Sequence, residues 1–191
     1  MQARLAATDL ACRRGERLLF RGLSLSLGAG DALHVTGPNG VGKTSLMRLL
    51  AGLSRPFAGR VERTGPVAML DERLALDGEA TLEKALAFWG RLDRPADPSS
   101  VYERLGLTPL LGIPVRYLST GQRKRAALAR LAGQGAKIWL LDEPLNGLDR
   151  QAQETVAAMV GAHREGGGLC IIASHQPTGL DIPALALEPA A

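Results

Sequence analysis

Aromatic residues and cysteines are scarce in this sequence, and each shortage argues against a class of function. Phe, Trp and Tyr make up 4% of the 191 residues, too few for a surface that reads nucleic acids by stacking on their bases. We therefore predict no nucleic-acid partner. The two cysteines, Cys12 and Cys170, lie far apart without the spacing of metal ligands, so reduced thiols in a cytosolic protein are the expectation.

Long apolar runs are also missing. No stretch approaches the roughly 18 consecutive apolar residues that a membrane-spanning helix needs. The N-terminal stretch MQARLAATDLACRR contains Asp9 and lacks a sustained apolar core, so we expect no signal peptide. Any membrane role must therefore come through a partner protein.

The charge is moderately positive, with 23 Lys and Arg residues against 19 Asp and Glu. Arginine dominates the basic residues, and two interpretations stay open. One is a GC-rich genome that favours arginine; the other is a basic surface near phosphates or anionic lipid, and charge alone does not decide between them. Hydrophobic residues at 46% and charged residues at 22% are ordinary for a soluble globular protein.

Strand-like and helix-like patterns follow each other along the chain. An N-terminal hairpin that turns at Gly15 precedes an apolar strand, which runs into a glycine-rich loop at Gly37. A helix is predicted from Lys43 to a glycine stop at Gly52. From Asp71 onward the pattern changes to three helical stretches.

The last part of the chain returns to strands. IWLLDE is a strand that ends in acids, RQAQETVAAMVGAHR is an amphipathic helix, and GLCIIASH is the final buried strand. Strands alternating with helices predict an α/β fold with a mainly parallel sheet covered on both faces, and the first hairpin adds an N-terminal antiparallel β part. We predict a single domain over residues 1–191, with its core at 1–71 and 134–191 and an inserted helical lobe at about 72–133.

The strongest motif is GPNGVGKT, which matches G-x-x-x-x-G-K-[ST] between a predicted strand and a predicted helix. Its glycines allow backbone N–H groups to face phosphate oxygens, and the helix N-terminus adds its dipole. Lys43 would reach the β- and γ-phosphates, and the Thr44 hydroxyl would bind Mg²⁺. An ordinary glycine-rich turn is the competing interpretation, which the complete motif disfavours. The predicted phosphate-binding residues are Gly37, Pro38, Asn39, Gly40, Val41, Gly42, Lys43, Thr44 and Ser45.

Two carboxylates follow the apolar strand IWLL. A buried strand that ends in Asp142 can deliver a carboxylate to Mg²⁺. Glu143 would then lie near the γ-phosphate, where it could orient or deprotonate the attacking water. A solvated strand end would explain an isolated Asp-Glu pair, but the phosphate loop upstream favours the catalytic interpretation.

A second polar helix start lies at LSTGQRKR. Ser119 and Gln122 have the spacing of a capping box, in which each side chain bonds the backbone N–H of the other residue. The basic residues that follow are interpreted as a solvated helix face rather than as ligands: Arg123, Lys124 and Arg125.

In this order, GPNGVGKT, LSTGQ, IWLLDEPLNGLD and IIASH resemble the nucleotide-binding domains of ABC ATPases, over about residues 3–176. The resemblance implies a phosphate-loop NTPase fold of ABC type that binds ATP and Mg²⁺. It also implies a head-to-tail homodimer, or a pair with a homologous domain. There, Ser119, Gly121 and Gln122 of the LSTGQ signature would close over the nucleotide of the other subunit.

Two further positions are implied by the same resemblance. Asp149 closes NGLD, a loop that crosses to the neighbouring subunit in this family. His175 matches the switch histidine that contacts the γ-phosphate. A structural histidine at a strand end is the alternative for His175, but its place after IIAS and downstream of Glu143 favours the catalytic role.

The sequence departs from the family pattern at two positions. Where the family has a hinge glutamine that contacts Mg²⁺ and water, this chain has Glu72, which could bind Mg²⁺ but cannot donate a hydrogen bond as an amide does. A solvated hinge residue is the alternative. The family also stacks an aromatic residue on adenine, and here that position falls on Arg13 or Arg14. A guanidinium plane can stack on a base; a solvated hairpin arginine is the competing interpretation.

The short chain, LLAGLSRPFAG, WLLDEP and HQP together resemble one subgroup, the ATP-binding subunits of bacterial cytochrome c maturation (haem exporter) systems. This implies an integral membrane permease partner and a peripheral position on the cytoplasmic face of the inner membrane. ATP hydrolysis would drive release of a haem-loaded chaperone. No residue resembles a haem ligand, so direct haem binding is not predicted.

Two other functions remain open at the level of sequence. The chain could serve an ABC transporter for another substrate, such as a lipid, a peptide or a small molecule, because substrate choice lies in the membrane partner. It could also be a soluble ATP-gated ABC regulator. That alternative is disfavoured because the chain has neither a long coiled-coil insertion nor a second cassette.

Overall fold

The computed structural model describes residues 2–71, 75–93 and 99–190. After the first glycine-rich loop the chain forms a helix, two strands, a helical stretch, and then strands alternating with a helix, as the sequence predicts. Two single turns of 3-10 helix lie at Thr108–Leu110 and Val115–Tyr117. The elements are β1 (Arg4–Arg14), β2 (Arg17–Gly28), β3 (Ala32–Thr36), α1 (Lys43–Ala51), β4 (Ala58–Thr64), β5 (Val67–Leu70), α2 (Leu82–Asp93), α3 (Ser99–Arg104), α4 (Thr120–Gly133), β6 (Ile138–Asp142), α5 (Arg150–Glu165), β7 (Leu169–Ala173) and β8 (Ala184–Ala186).

The larger sheet has five strands in the order β5-β6-β7-β3-β8, and every neighbouring pair is parallel. Strands β6 and β7 are buried along their whole length, because hydrophobic side chains cover both faces of the sheet. In β6, Ile138 and Leu140 pack into one hydrophobic cluster with α1 and the N-terminal strands. Trp139 and Leu141 point into a second cluster with α4 and α5. The predicted α/β architecture is confirmed.

The smaller sheet is antiparallel, with the order β2-β1-β4. The predicted hairpin is present: β1 and β2 pair from Arg4↔Gly28 to Arg14↔Arg17, and Gly15 turns between them with a positive φ of 60°. Leu5, Leu10 and Phe20 from this sheet pack on α1 in the same cluster as β6. The hairpin is thereby fixed beside the N-terminus of α1.

The chain after β7 forms one more strand, so the prediction that GLCIIASH is the final strand is wrong. Strand β8 pairs in parallel with β3, with Val35 opposite Leu185. Just beyond it, the Leu187 N–H donates to the Thr36 oxygen at 2.8 Å. The three residues that follow Pro183 are too few to show a periodic pattern in the sequence. They form a strand because they pair with β3.

Helices α2, α3 and α4 pack around a leucine-rich part of the second cluster, which includes Leu82, Leu105 and Leu128. The indole N–H of Trp89 donates to the Ala75 oxygen at 2.6 Å, and the Arg130 guanidinium lies 3.5 Å from the centroid of the Trp89 rings. The contact between Arg130 and Trp89 joins α4 to α2. The division of the chain into a core and a lobe at about 72–133 stays a prediction. No described helix is long and apolar enough to cross a membrane.

His163, near the end of α5, stacks on Trp139 of β6 with ring centroids 3.9 Å apart and planes 9° apart. Its Nε2 lies 3.2 Å from the Leu169 oxygen. Burial lowers the pKa of His163, and hydrogen bonds to the Leu169 and Lys137 backbone offset part of this shift. The nearby charge of Lys137 lowers the pKa further. The folded state therefore favours a neutral His163 ring.

We expect His163→Phe to weaken the pH dependence of stability. In the wild type the unfolded chain binds this proton more tightly than the folded chain. The neutral ring's contribution is therefore complete above about pH 6.5 and is lost as the pH falls below that value. Phe keeps the stack on Trp139 and cannot titrate. Urea unfolding at about pH 7.5 and about pH 5.5 should show a smaller loss for the variant; equal losses would contradict the assignment.

Candidate functional site

The two predicted catalytic residues, Asp142 and most of the phosphate loop meet at the carboxyl edge of the parallel sheet, where β3, β6 and β7 end side by side. A cleft of about 580 Å³ opens there, between this edge and the turn of the first hairpin. Parallel strands place their carboxyl ends at one edge, so loops that are distant in sequence converge. The cleft is lined by Arg14, Arg17, Leu19, Asn39, Gly40, Gly42, Lys43, Thr44, Ser45, Asp142, Glu143, Asn146 and His175.

The glycine-rich loop depends on backbone conformations that suit glycine. Gly37, Gly40 and Gly42 have φ values of 141°, 79° and 115°, a range that side-chain-bearing residues rarely adopt. Gly37 also has no room for a side chain, because a Cβ there would lie 2.7 Å from the Leu187 oxygen. Gly42 caps α1, whose first residue is Lys43. The N-terminal N–H groups of α1 are therefore presented to the cleft.

Lys43 extends back into the loop that precedes it. Its side chain is only 7% exposed, and Nζ donates to the Gly37 oxygen at 2.7 Å and to the Pro38 oxygen at 3.3 Å. The same Nζ lies 4.0 Å from Oε1 of Glu143. An ammonium group has three N–H donors, so two carbonyl bonds leave one donor for a phosphate oxygen.

Glu143 lies one residue beyond β6 with its carboxylate in the cleft. Its backbone N–H donates to the Ala173 oxygen at 2.8 Å, which continues the β6–β7 ladder. Both carboxylate oxygens lie 3.0 Å from Nδ1 of His175. The Glu143 side chain is 13% exposed and that of His175 is 41% exposed. The two predicted catalytic side chains are thus in direct contact.

Asp142 is the last residue of β6 and is 2% exposed. It lines the same cleft as Thr44, so a carboxylate and a hydroxyl, both hard oxygen donors, face one space. No group of three or more His, Cys, Asp or Glu within residues 2–71, 75–93 and 99–190 could hold a metal. The Asp142 carboxylate and the Thr44 hydroxyl nevertheless suit Mg²⁺, because this ion is usually bound by one or two protein carboxylates together with substrate phosphates. The third predicted ligand, Glu72, lies outside the described residues.

The predicted capping box at the start of α4 is confirmed. Ser119 Oγ accepts from the Gln122 N–H at 3.2 Å, and Gln122 Oε1 accepts from the Ser119 N–H at 2.8 Å. Gly121 packs closely on the loop between β6 and α5: a Cβ on Gly121 would lie 2.6 Å from the Gly147 oxygen. At the end of that loop, Asp149 caps α5 by accepting from the Ala152 N–H at 2.8 Å.

The signature residues do not line the cleft of their own chain. Ser119, Gly121, Gln122 and Asp149 are absent from its lining, whereas all the predicted catalytic residues and most of the phosphate loop are part of it. The structure therefore divides the predicted site residues into two groups. Their nucleotide contacts stay predictions.

The prediction of a solvated basic face on α4 is wrong for two of its three residues. Lys124 is 6% exposed and its Nζ donates to the Glu143 oxygen at 3.1 Å. Arg125 donates to the Leu105 oxygen at 3.0 Å. Lys124 lies four and seven residues before the buried Leu128 and Leu131, which is the spacing of one helix face. The helical spacing could have indicated that Lys124 is buried, but its positive charge favoured the prediction of a solvated residue.

The structure distinguishes the two hairpin arginines. Arg14 lines the cleft, whereas the Arg13 guanidinium lies 4.6 Å from the centroid of the Phe57 ring. Arg17, which the sequence analysis missed, is the direct partner of Arg14 across the hairpin turn and also lines the cleft. Direct cross-strand partners share a face of the sheet, so both guanidiniums project toward the cleft.

Comparison with known proteins agrees with this geometry. The sequence profile of the ABC transporter family matches residues 20–146, a range that contains the phosphate loop, the signature and both acids. The chain belongs to the ABC transporter family.

Relatives within that family share one name. The chain is 60% identical to the cytochrome c biogenesis ATP-binding export protein CcmA of Novosphingobium aromaticivorans, covering 93% of this chain and 91% of that protein. The protein of the same name from Sphingopyxis alaskensis is 51% identical, with 92% and 91% covered. These identities place the chain in the cytochrome c biogenesis branch of the family.

Solved structures show the same fold. A metal-chelate type ABC transporter in an inward-facing conformation superimposes with a TM-score of 0.82 at 25% identity, covering 98% of this chain and 80% of that one. The ABC ATPase fold predicted from the sequence is confirmed.

Two glycines of the phosphate loop provide a matched pair of substitutions. Gly40→Ala places a methyl group in open space at φ 79°, so we expect a loss of about 1 kcal/mol for the left-handed backbone. Gly37→Ala combines φ 141° with a contact 2.7 Å from the Leu187 oxygen, and we expect a loss on the order of 3 kcal/mol. Urea unfolding measures both free energies. Equal losses would show that the Leu187 contact relaxes freely.

Proposed function

We propose that the chain is the ATP-hydrolysing subunit of an ABC export complex for cytochrome c biogenesis. The observation that carries the ATPase assignment is the meeting of Lys43, Glu143 and His175 in one cleft at the sheet edge. The pathway rests on the relatives that share 60% and 51% identity with the chain and are named as cytochrome c biogenesis export proteins.

Glu143 would orient and deprotonate the water that attacks the γ-phosphate. Its carboxylate is largely buried and held against His175, which gives it a defined direction, as general-base catalysis requires. Because it lies 4.0 Å from Lys43, the base and the phosphate-binding cation stand close enough to act on one phosphoryl group. Catalysis of phosphoryl transfer depends mainly on such positioning and on charge.

Thr44 and Asp142 would hold the Mg²⁺ ion that accompanies ATP. When bound, the ion neutralises charge on the phosphate oxygens. Asp142 is buried at the end of β6 and lines the same cleft as Thr44. The contribution of this chain is to present two oxygen ligands on rigid elements, a strand end and the first turn of α1.

Ser119, Gly121 and Gln122 would contact ATP bound by a second subunit. They lie outside the cleft of their own chain, yet they form the N-terminus of a 14-residue helix. Helix N-termini bind phosphate through backbone N–H groups and the helix dipole. A head-to-tail homodimer, or a pair with a homologous domain, would place each signature opposite the other phosphate loop, with Asp149 nearby.

The complex would contain an integral membrane permease, with this chain bound peripherally at the cytoplasmic face of the inner membrane. Hydrolysis would drive release of a haem-loaded chaperone, and this chain would not itself contact haem. The names of the relatives support an export role. Affinity purification of the tagged chain from solubilised membranes tests the partner: a co-purifying permease of cytochrome c biogenesis is expected, and a transporter for another substrate would refute this part.

Glu143→Gln should abolish turnover and preserve ATP binding. The amide keeps the size of the side chain but cannot accept the proton of the attacking water, and loss of a general base lowers rates by about 10² to 10⁴. Phosphate release and nucleotide affinity are measured together. An unchanged rate of hydrolysis would refute the role of Glu143 as the base. A loss of ATP binding would show that Glu143 has a structural role instead.

Arg14→Ala should weaken ATP binding, and Arg13→Ala is its matched control. A guanidinium over a base contributes about 1 kcal/mol, so we expect roughly a fivefold rise in the Kd for ATP. Arg13 packs on Phe57 outside the cleft lining, and its removal should leave the Kd unchanged. Titration with a fluorescent ATP analogue separates the two, and a larger effect at Arg13 would reverse the assignment.

A further inference from the structure

Lys124 connects the signature helix to the proposed catalytic base. It lies in the first turns of α4, with 6% of its surface exposed, and its Nζ donates to the backbone oxygen of Glu143 at 3.1 Å. Burying an ammonium group is costly unless it is paired or hydrogen-bonded. A neutral apolar residue would avoid this cost, so the hydrogen bond from Lys124 is the feature that needs an explanation.

The acceptor of this bond belongs to an unusual backbone. Glu143 has φ 47° and is one of two residues other than glycine with positive φ in the described part of the chain. Such a conformation costs on the order of 1 to 3 kcal/mol and persists only where the surroundings hold it. The Glu143 N–H bonds to Ala173, and the Glu143 oxygen also lies 3.4 Å from the Asn146 nitrogen that donates to it. Lys124 supplies the bond that comes from α4.

The side chain of the same residue performs the proposed chemistry. The Glu143 carboxylate contacts His175 at 3.0 Å and lies 4.0 Å from Lys43. A rotation of the Glu143 backbone would move this carboxylate relative to both groups. Holding the carbonyl is therefore a way to hold the carboxylate.

The other end of the connection is the start of α4. Ser119 and Gly121 lie outside the cleft of this chain, and Gly121 packs directly on Gly147. Rigid α4 joins this start to Lys124 within about one and a half turns. A displacement of the signature would therefore reach the Glu143 carbonyl through a single hydrogen bond.

We propose that Lys124 is a positioning residue that couples the two nucleotide sites of the dimer. Contact of the signature with ATP on the other subunit sets α4, and Lys124 then sets the Glu143 backbone in its own cleft. Each site hydrolyses fully only when its neighbour is filled. The proposal rests on the proposed function, in which Glu143 is the base and the signature contacts a second subunit.

The test compares Lys124→Met, which keeps the length and removes the donor, with Lys124→Arg, which keeps a donor. The full-length protein is assayed in the assembly in which the wild type hydrolyses ATP. For Lys124→Met we expect kcat to fall about tenfold, the Hill coefficient for ATP to fall toward about 1, and the Kd for ATP to stay within about twofold. Lys124→Arg should recover most of kcat and of the Hill coefficient.

Arg125→Met is the matched control, because Arg125 also donates from α4 to a backbone oxygen, that of Leu105. It should lower thermal stability and leave the Hill coefficient unchanged. If Lys124→Met shows no cooperative unfolding transition, Lys124→Leu is measured in its place with the same expectation.

Three results would overturn the proposal. They are a wild-type kcat and Hill coefficient without the Lys124 donor, a fall in kcat matched by an equal rise in Kd, and an equal loss of cooperativity in Arg125→Met. Glu143→Gln separates this failure from that of the proposed function. If that variant is inactive while Lys124→Met is normal, only the coupling is refuted.

Discussion

The parallel pairing of β6 with β7 and of β7 with β3 is the constraint on which the cleft depends. Ala173, at the end of β7, lies opposite both Asp142 and Val35, so three strands end at one level. The ladder then gains one more bond, from the Glu143 N–H to the Ala173 oxygen. If β6 slipped by one residue against β7, every side chain of β6 would move to the other face of the sheet, and Asp142 and Glu143 would change places relative to the cleft. Burial of β6 and β7 on both sides makes such a slip costly.

Glu143 shows how this constraint supports a strained residue. Its left-handed backbone is held by the β7 ladder, by Asn146 in the following turn and by Lys124 from α4. The bonds from β7 and from α4 come from separately packed elements, so neither can relax without disturbing a hydrophobic cluster. The strain is local, and the packing that offsets it is spread over both faces of the sheet.

Local motifs made most of the fold and the cleft predictable. GPNGVGKT, the capping box at Ser119 and the glycine stop at Gly52 depend on neighbouring residues, and the structure contains the corresponding loop, cap and helix end. Contacts across the fold were not predictable in this way. The strand at β8 exists because β3 offers it an edge. Lys124 can be buried because the Glu143 oxygen, 19 residues along the chain, accepts a hydrogen bond from its ammonium group. Charge alone suggested solvent at Lys124, and tertiary hydrogen bonding overrode it.

In the proposed function, the groups that bind ATP and the contacts that control its turnover lie in different parts of one chain. Most of the phosphate loop, the acids and Arg14 lie in a single cleft, so the groups proposed to bind ATP first all come from one chain. The signature lies outside that cleft, and the first turns of α4 contact the loop that follows β6, through Gly121 on Gly147 and Lys124 on Glu143. In the proposed coupling, a ligand of the signature would act on Glu143 through the backbone of that loop. Substitutions at these contacts should alter turnover and cooperativity before affinity, whereas substitutions around Lys43 should alter affinity first.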